Sequence, residues 1–291
     1  MGESTAKFMD GRTAVPPRSS IGSHASDTDG EQRTRWRQRT PFSPRARRGP
    51  RVWFEILLIA IGYWVYSLVR NSVPERDEAG MRHAHQVWDL EQSLGLGIEY
   101  TVNYAVNSIT WLIIGMNYYY ATFHFIVTLG VLVWLFRKHP AQYASIRLVL
   151  FVTTGIALVG YYSYPLAPPR FMRGEGHDFV DTVKVHHTWG SMASGDLAHV
   201  SNQYAAMPSM HIGWSLWCGI TIAVLAKPVW VKVLGLLYPV TTLFVIISTA
   251  NHFWLDAVGG TTCLAFGFAV AWAVAYLPAG ARIGACGGLL P

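Results

Sequence analysis

Six apolar stretches, separated by short polar segments, dominate the hydrophobicity pattern of the chain. Each is close to the roughly 20 residues that a helix needs to cross a bilayer. The predicted spans are residues 52–68, 118–136, 146–162, 206–226, 229–248 and 253–277. The pattern therefore predicts an all-α fold, a polytopic membrane helix bundle with about six transmembrane helices.

Two stretches between the first and second spans have a weaker apolar pattern. In residues 83–94, Val87, Leu90 and Leu94 recur at helical spacing, which predicts an amphipathic helix at the membrane interface. Residues 102–114 are half apolar and either lie at the interface or dip into the bilayer. The predicted organisation is a tail (1–50), a first span with interfacial helices (51–116), a main helix bundle (117–278) and a short C-terminal tail (279–291).

Composition supports a membrane protein, because 51% of the residues are hydrophobic and only 14% are charged, against about a quarter charged in soluble domains. The net charge of +6 does not indicate a nucleic-acid partner, since the excess of basic residues is concentrated in residues 1–51. Residues 1–50 contain too few aliphatic residues to form a core, and we predict a disordered basic tail. Its arginines either contact anionic headgroups or serve only membrane orientation.

The charges of the loops orient the predicted spans. The N-terminal tail is basic, and segments 137–147 and 227–232 contain Lys and Arg but no acidic residue. Positive loops stay on the cytoplasmic side, so both termini are predicted to be cytoplasmic, in the plasma (inner) membrane. The opposite, extracytoplasmic side then carries acidic residues that include Glu75, Asp77, Glu78, Asp89, Glu91 and Glu99.

Three polar clusters fall at the extracytoplasmic ends of predicted spans: Tyr164-Pro-Leu-Ala-Pro-Pro-Arg170, Met207-Pro-Ser-Met-His211 and Asn251-His252-Phe-Trp-Leu-Asp256. His252 and Asp256 are four residues apart, which places them on one helical face, where a carboxylate can fix the tautomer of the imidazole. His211 opens a span and is a candidate general acid. Arg170 carries a planar charged fork suited to phosphate oxygens. Taken singly, each also fits a polar residue that is merely solvated or paired at the interface.

The residues of these clusters resemble the signatures of the type 2 phosphatidic acid phosphatase (PAP2) superfamily over roughly residues 110–275. Segment 208–211 resembles its second signature, and the His-x-x-x-Asp of 252–256 resembles its third. The Tyr-Pro-x-x-Pro-Pro of 164–169 is similar to the inositolphosphotransferase branch, which includes fungal inositol phosphorylceramide synthase. Two departures are that Val245 and Ile246 replace the Ser-Arg before the third-signature histidine, and that Phe171 follows Arg170 where proline is usual.

The resemblance implies a catalytic helix bundle in which His252 forms a phosphohistidine, Asp256 orients His252, and His211 protonates the leaving oxygen. Arg170 would clamp phosphate, and other candidate substrate ligands are Ser209, Asn251 and Tyr164. Tyr120 and His124 form a further i, i+4 pair that either faces the same cavity or makes a core helix contact, and we favour the helix contact.

The sequence thus predicts a metal-independent enzyme without a cofactor that acts on a membrane lipid phosphate, with water or an inositol-type alcohol as acceptor. One alternative is a non-enzymatic lipid-binding or transport protein. Another is a metal or haem site among His124, His177, His186, His187, His211 and His252. Cys218, Cys263 and Cys286 show no metal-binding spacing and are expected to form no disulfide. The loop 171–203 contains the His186-His187 pair, and its role is left open.

Overall fold

The computed structural model describes residues 51–72, 77–172, 178–188 and 204–276. These residues are helical apart from short connections, as the predicted all-α class requires. The basic tail 1–50 with its headgroup-binding arginines, the tail 279–291, Cys286 and much of the loop 171–203, including His177, lie outside the described residues.

The described chain contains ten α-helices, which we number in chain order. They are α1 (Val52–Ser72), α2 (Asp77–Ser93), α3 (Glu99–Asn107), α4 (Thr110–Tyr118), α5 (His124–Lys138), α6 (Pro140–Ser163), α7 (Thr182–Val185), α8 (Met210–Leu225), α9 (Val229–Ser248) and α10 (Trp254–Tyr276). A π-helical turn, Tyr119–Phe123, joins α4 to α5, and a 3-10 turn, Pro169–Phe171, follows α6.

Four helices in the described part of the chain are long and apolar enough to cross a membrane. They are Thr110–Lys138, Pro140–Ser163, Val229–Ser248 and Trp254–Ala275. Two shorter apolar helices, Val52–Leu68 and Met210–Leu225, coincide with the first and fourth predicted spans. These helices indicate an integral membrane protein, whereas the number of six spans stays a prediction.

The second predicted span begins earlier than the hydrophobicity pattern indicated. A continuous helix runs over Thr110–Lys138, so residues 110–114 belong to it rather than to an interfacial stretch. Asn117 interrupts the apolar pattern but is buried, because its amide donates to the Thr188 hydroxyl (2.8 Å) and accepts from the Thr182 hydroxyl (2.8 Å). A buried amide whose hydrogen bonds are satisfied costs the helix little.

Helix α8 lies at the centre of the bundle and contacts α5, α6, α9 and α10. Its Trp217 is fully buried, and the indole N–H donates to the carbonyl of Ile146 on α6 (2.9 Å). Helices α8 and α9 cross closely at two glycines: a Cβ on Gly219 would lie 2.5 Å from the carbonyl oxygen of Gly235. Small residues at such crossings let apolar helices pack closely inside a membrane.

Helices α2 and α3 precede the longer spans and pack against the connections at one end of the bundle. Ala84, Val87 and Trp88 of α2 join a core cluster with Phe179 and Phe253. Val87 of the predicted apolar face is buried, whereas Leu90 and Leu94 are 48% and 58% exposed, and the position of α2 at the membrane interface stays a prediction. The buried positions instead follow the spacing 84, 87, 88 and 91, and the last of them is Glu91.

Candidate active site

The three polar clusters of the sequence meet at one end of the bundle. The backbone N–H of Ser209 donates to the carbonyl of Asp256 (2.9 Å), which joins the second cluster to the third. The backbone N–H of Arg170 donates to the carbonyl of Ala250 (3.0 Å), and the Arg170 guanidinium donates to the Asn251 side chain. Residues up to 81 positions apart therefore share one small region.

His252 and Asp256 form a buried pair, with 4% and 0% of their surfaces exposed. The Nδ1 atom of His252 lies 3.1 Å from Oδ2 of Asp256, and the same oxygen accepts from the backbone N–H of Phe253 (3.0 Å). Because a carboxylate can only accept, Nδ1 carries the proton and Nε2 has a free lone pair. Nε2 is buried and bonds to no group of the described residues, so it is the ring nitrogen left for a ligand.

His211, in the first turn of α8, faces His252 across the site. The two imidazole centroids are 5.5 Å apart. The His211 ring stacks on Tyr120 at 4.2 Å, and its Nε2 donates to the Tyr120 carbonyl (3.2 Å). The His124 ring lies 4.3 Å from the His211 ring. Tyr120 and His124 are thus contacts of His211, which favours the alternative that this pair faces the site.

Arg170 and Asn251 form a polar pair directly beside the histidine. The Arg170 guanidinium also lies over the Phe171 ring, 5.0 Å from its centroid. Phenylalanine in place of the usual proline thus gives the guanidinium a cation–π contact. Asn251 donates to the Thr249 hydroxyl (2.7 Å). Arg170 uses one of its five N–H groups on Asn251, which leaves a fork for an anion.

Ser209 and Tyr164, the other predicted ligands, occupy different positions. Ser209 is the N-cap of α8, is fully buried, and its hydroxyl bonds to no group of the described residues. Pro208 precedes this cap and lies outside the helix. Tyr164 stacks on His83 at 4.2 Å, and burial together with the negative charge of Asp256 raises the pKa of its phenol.

Two buried carboxyl groups near the site were not expected from the sequence. Glu91 of α2 and Glu99 of α3 are both fully buried, although they were counted only as acidic residues of a loop face. Oε1 of Glu91 accepts from the backbone N–H of Leu255 (2.7 Å), and Oε1 of Glu99 accepts from that of Trp254 (3.3 Å). The available signal was the position of Glu91 within the helical stripe 84, 87, 88 and 91.

Asn103 of α3 is another residue that sequence reasoning missed. Its amide donates to the carbonyl of Ser248 at the end of α9 (2.9 Å) and accepts from the backbone N–H of Val180 (2.8 Å). His186 in the same segment bonds to Asn107 (2.8 Å). The described residues 178–188 are therefore fastened to α3 beside the end of α9.

The histidines near the site do not form a metal cage within the described residues, where no group of three or more His, Cys, Asp or Glu side chains could hold a metal ion. Cys218 and Cys263 are free, buried thiols in the bundle.

Comparison with known proteins finds one family that the chain matches. The sequence profile of the PAP2 superfamily matches residues 85–270, which include all three clusters. No curated protein and no solved structure matches the chain. Together with the apolar helices, the profile match indicates a membrane enzyme of the phosphatase type. The chain belongs to the PAP2 superfamily.

Proposed function

We propose that this protein is a membrane-embedded lipid phosphoesterase or phosphotransferase that acts through a phosphohistidine on His252. The observation that carries the proposal is the state of the His252 ring: Nδ1 is held by Asp256, while the buried Nε2 has no partner among the described residues. An oriented imidazole of this kind is the arrangement required of a nitrogen nucleophile.

In the first step, the Nε2 lone pair of His252 attacks the phosphorus of the lipid phosphate. The bond from phosphorus to the leaving oxygen breaks, its electron pair stays on that oxygen, and His211 donates a proton to it. The positive charge that develops on the His252 ring is balanced by Asp256. The products are the free lipid alcohol, or a lipid phosphate where the substrate is a diphosphate, and a phosphohistidine.

In the second step, neutral His211 removes a proton from the acceptor hydroxyl. The acceptor oxygen attacks phosphorus, the N–P bond breaks, and its electron pair returns to Nε2 of His252. Water as acceptor gives phosphate, and an inositol-type alcohol gives a new phosphoester. The Tyr-Pro-x-x-Pro-Pro segment is similar to that of inositolphosphotransferases, which favours descent from the phosphotransferase branch. Descent alone does not fix the acceptor.

The phosphoryl oxygens are proposed to bind to Arg170, Asn251, Ser209 and the first turn of α8, whose backbone N–H groups favour an anion. Val245 and Ile246, which replace the usual Ser-Arg, are buried in α9 and cannot contribute. Arg170 comes from a different connection but is fixed beside His252 through Asn251. Tyr164 would line the approach to the site.

A lipid substrate is supported by an apolar groove of about 840 Å³ between α8, α9 and α10. Its wall includes Ile212, Trp254 and Ala257, which are each within two residues of His211, His252 or Asp256. An acyl or isoprenoid chain in this groove would bring its phosphate to the catalytic histidines.

We further propose that the site faces the extracytoplasmic side of the plasma (inner) membrane, with both termini in the cytoplasm. The proposal is supported by the basic segments 137–147 and 227–232 at the end of the bundle opposite the site. A cysteine introduced at Asp89 of a cysteine-free variant should react with a membrane-impermeant thiol reagent in intact cells. A cysteine at Lys227 should react only after lysis, and the reverse pattern would invert the orientation.

The test of the reaction is phosphate release and headgroup transfer by protein purified in detergent. The substrates are phosphatidate, a polyprenyl diphosphate and phosphoinositides, each with and without EDTA. Wild-type protein is compared with His252→Ala and with His85→Ala, which removes an exposed histidine of α2. We expect EDTA-resistant activity in wild type and in His85→Ala, none in His252→Ala, and an acid-labile protein-bound phosphate that only the active proteins form.

Equal activity in all three proteins would remove His252 as nucleophile. Folded wild-type protein that neither releases nor transfers phosphate from any lipid of the panel would favour the lipid-binding alternative.

A further inference from the structure

Three successive backbone N–H groups, at the start of α10 and just before it, end on three different carboxyl groups. Phe253 donates to Asp256 (3.0 Å), Trp254 donates to Glu99 (3.3 Å) and Leu255 donates to Glu91 (2.7 Å). The first N–H groups of a helix have no partner within the helix. Here the two carboxyls that satisfy Trp254 and Leu255 come from helices 155 and 164 residues earlier in the chain.

Glu91 and Glu99 contact the backbone of Trp254 and Leu255, and their carboxyl groups act on each other. Both side chains are completely buried. The Oε2 atom of each carboxyl is buried and has no hydrogen-bond partner among the described residues. The two carboxyls accept from adjacent backbone N–H groups, which brings them side by side, and the Glu99 carboxyl raises the pKa of Glu91. Two buried carboxylates side by side repel each other, and one proton held between them removes the repulsion.

Given the proposed function, we propose that Glu91 and Glu99 are positioning residues for phosphoryl transfer. As a carboxyl–carboxylate pair that shares one proton, they fix the first turn of α10 and thereby hold His252 and Asp256 in register with His211. Neither glutamate touches the reacting atoms. Each acts through the backbone of Trp254 or Leu255, which lie between His252 and Asp256. A small displacement of this backbone changes the direction in which Nε2 of His252 points.

The surroundings of Glu91 explain why the pair retains a proton. Burial is the main cause that raises the pKa of Glu91 to about 9, followed by the neighbouring Glu99 of α3 and then by Asp256 of α10. No cation of the described residues is among the groups that act on it. The charged groups that act on Glu91 are the carboxyls of Glu99 and Asp256, and both raise its pKa.

The carboxyl pair makes the stability of the protein decrease at alkaline pH. The raised pKa means that the folded protein keeps a proton that an exposed glutamate would have lost. Stability from this pair is therefore complete below pH 4.5 and declines as the pH rises through about 9. Above that pH the two carboxylates repel, the caps on Trp254 and Leu255 loosen, and catalysis declines with them.

The experiment compares Glu91→Ala and Glu91→Gln with Asp89→Asn, which removes an exposed acid from the same helix. The kcat and KM of detergent-purified protein are measured from pH 6 to 10 on the best lipid substrate of the panel. We expect Glu91→Ala to lower kcat by roughly 10- to 100-fold, as a small displacement of a reacting group does, with KM within about twofold. Asp89→Asn should match wild type.

Glu91→Gln distinguishes positioning from a general loss of structure. Glutamine can still accept from Leu255 and can donate to Glu99, so kcat near pH 7 should stay within a few-fold of wild type. Because the shared proton is replaced by a permanent N–H, the decline of kcat near pH 9 should disappear. Wild-type kcat in Glu91→Ala would overturn the positioning role.

A wild-type profile that is flat through pH 9, or a decline retained in Glu91→Gln, would overturn the shared proton; if Glu91→Ala does not fold, Glu91→Gln carries the test alone. Failure of the proposed function is recognised separately, since wild type would then transfer no phosphate or His252→Ala would keep its activity.

Discussion

At the scale of single residues, the two nitrogens of the His252 imidazole have different surroundings. Asp256 holds Nδ1, and the same carboxylate oxygen is itself fixed by the Phe253 N–H. The carboxylate therefore cannot rotate without losing a second hydrogen bond. This arrangement selects the tautomer of His252 that carries its proton on Nδ1. Because the site is buried, solvent does not readily exchange that proton between the two ring nitrogens.

Asp256→Asn should remove the negative charge beside His252 with little change in shape. The asparagine oxygen, in the place of Oδ2, can still accept from Phe253 and from Nδ1 of His252, but no carboxylate then balances the positive charge that develops on the His252 ring. We expect kcat to fall by roughly 10²- to 10⁴-fold with KM nearly unchanged, measured with the yield of phosphohistidine. Asp181→Asn, at the buried N-cap aspartate of α7, is the control, and an equal loss in both would indicate a folding effect.

Arg170→Lys tests the anion fork. Lysine keeps the charge but cannot bond to Asn251 and to phosphate oxygens in one plane. We expect kcat/KM to fall about tenfold or more, measured on the same lipid. Arg82→Lys, an exposed change on α2, should have no effect, and an unchanged kcat/KM in Arg170→Lys would exclude the guanidinium as a phosphate ligand.

At the scale of helices, the site depends on how closely the start of α8 approaches α10. A Cβ on Gly260 of α10 would lie 2.2 Å from the carbonyl oxygen of Ser209. The obstructing atom is backbone, so no side chain can move aside. One glycine thus sets the separation between the helix that carries His211 and the helix that carries Asp256.

Gly260→Ala should therefore push α8 and α10 apart. We expect a loss of about 1–3 kcal/mol in stability, as overpacking costs elsewhere, and a larger loss of activity because the bond from Ser209 to Asp256 is stretched. Thermal unfolding in detergent and kcat are the two measurements. Gly155→Ala on α6, where an added Cβ meets nothing within 4 Å, should change neither, and wild-type behaviour of Gly260→Ala would contradict this packing.

At the scale of the whole molecule, α1 is attached to the bundle by a buried ion pair far from the site. The Arg147 guanidinium donates to Glu55, and both side chains are largely buried, with 15% and 9% exposed. The guanidinium also lies near the Tyr143 and Phe151 rings, 5.3 and 5.7 Å from their centroids. Arg147 is thus a structural residue joining α1 to α6.

Removal of one member of this pair should be worse than removal of both. Arg147→Met leaves the Glu55 carboxylate buried and unpaired, and we expect a cost of about 3–5 kcal/mol. The double variant Arg147→Met with Glu55→Gln should recover much of that loss. Thermal unfolding of the two single variants and the double variant provides the cycle, and strictly additive losses would show that the pair contributes nothing as a pair.

Local features of this fold could be predicted from the sequence, because their causes lie within a few residues. The apolar runs place α1, α8, α9 and α10 to within about four residues, and a spacing of four brings His252 to Asp256. The contacts of Tyr120 with His211 and of Glu91 with Leu255 could not be predicted, since their partners are distant in the chain. The partner of Glu91 is moreover a backbone N–H, which every residue type except proline carries, so no sequence pattern marks it. Glu91 was therefore assigned to the polar extracytoplasmic side although it is buried.

The capture of α10 by Glu91 and Glu99 has a consequence for the order of synthesis. Both glutamates leave the ribosome more than 150 residues before the amides that they cap, which is roughly 8–30 s at ordinary elongation rates. Until α10 has inserted, α2 and α3 carry two carboxyls without their final partners and cannot settle into the buried position. The last described helix therefore completes the early ones, and a nascent chain cut short before it would display an unfinished acidic surface that quality-control proteases could recognise.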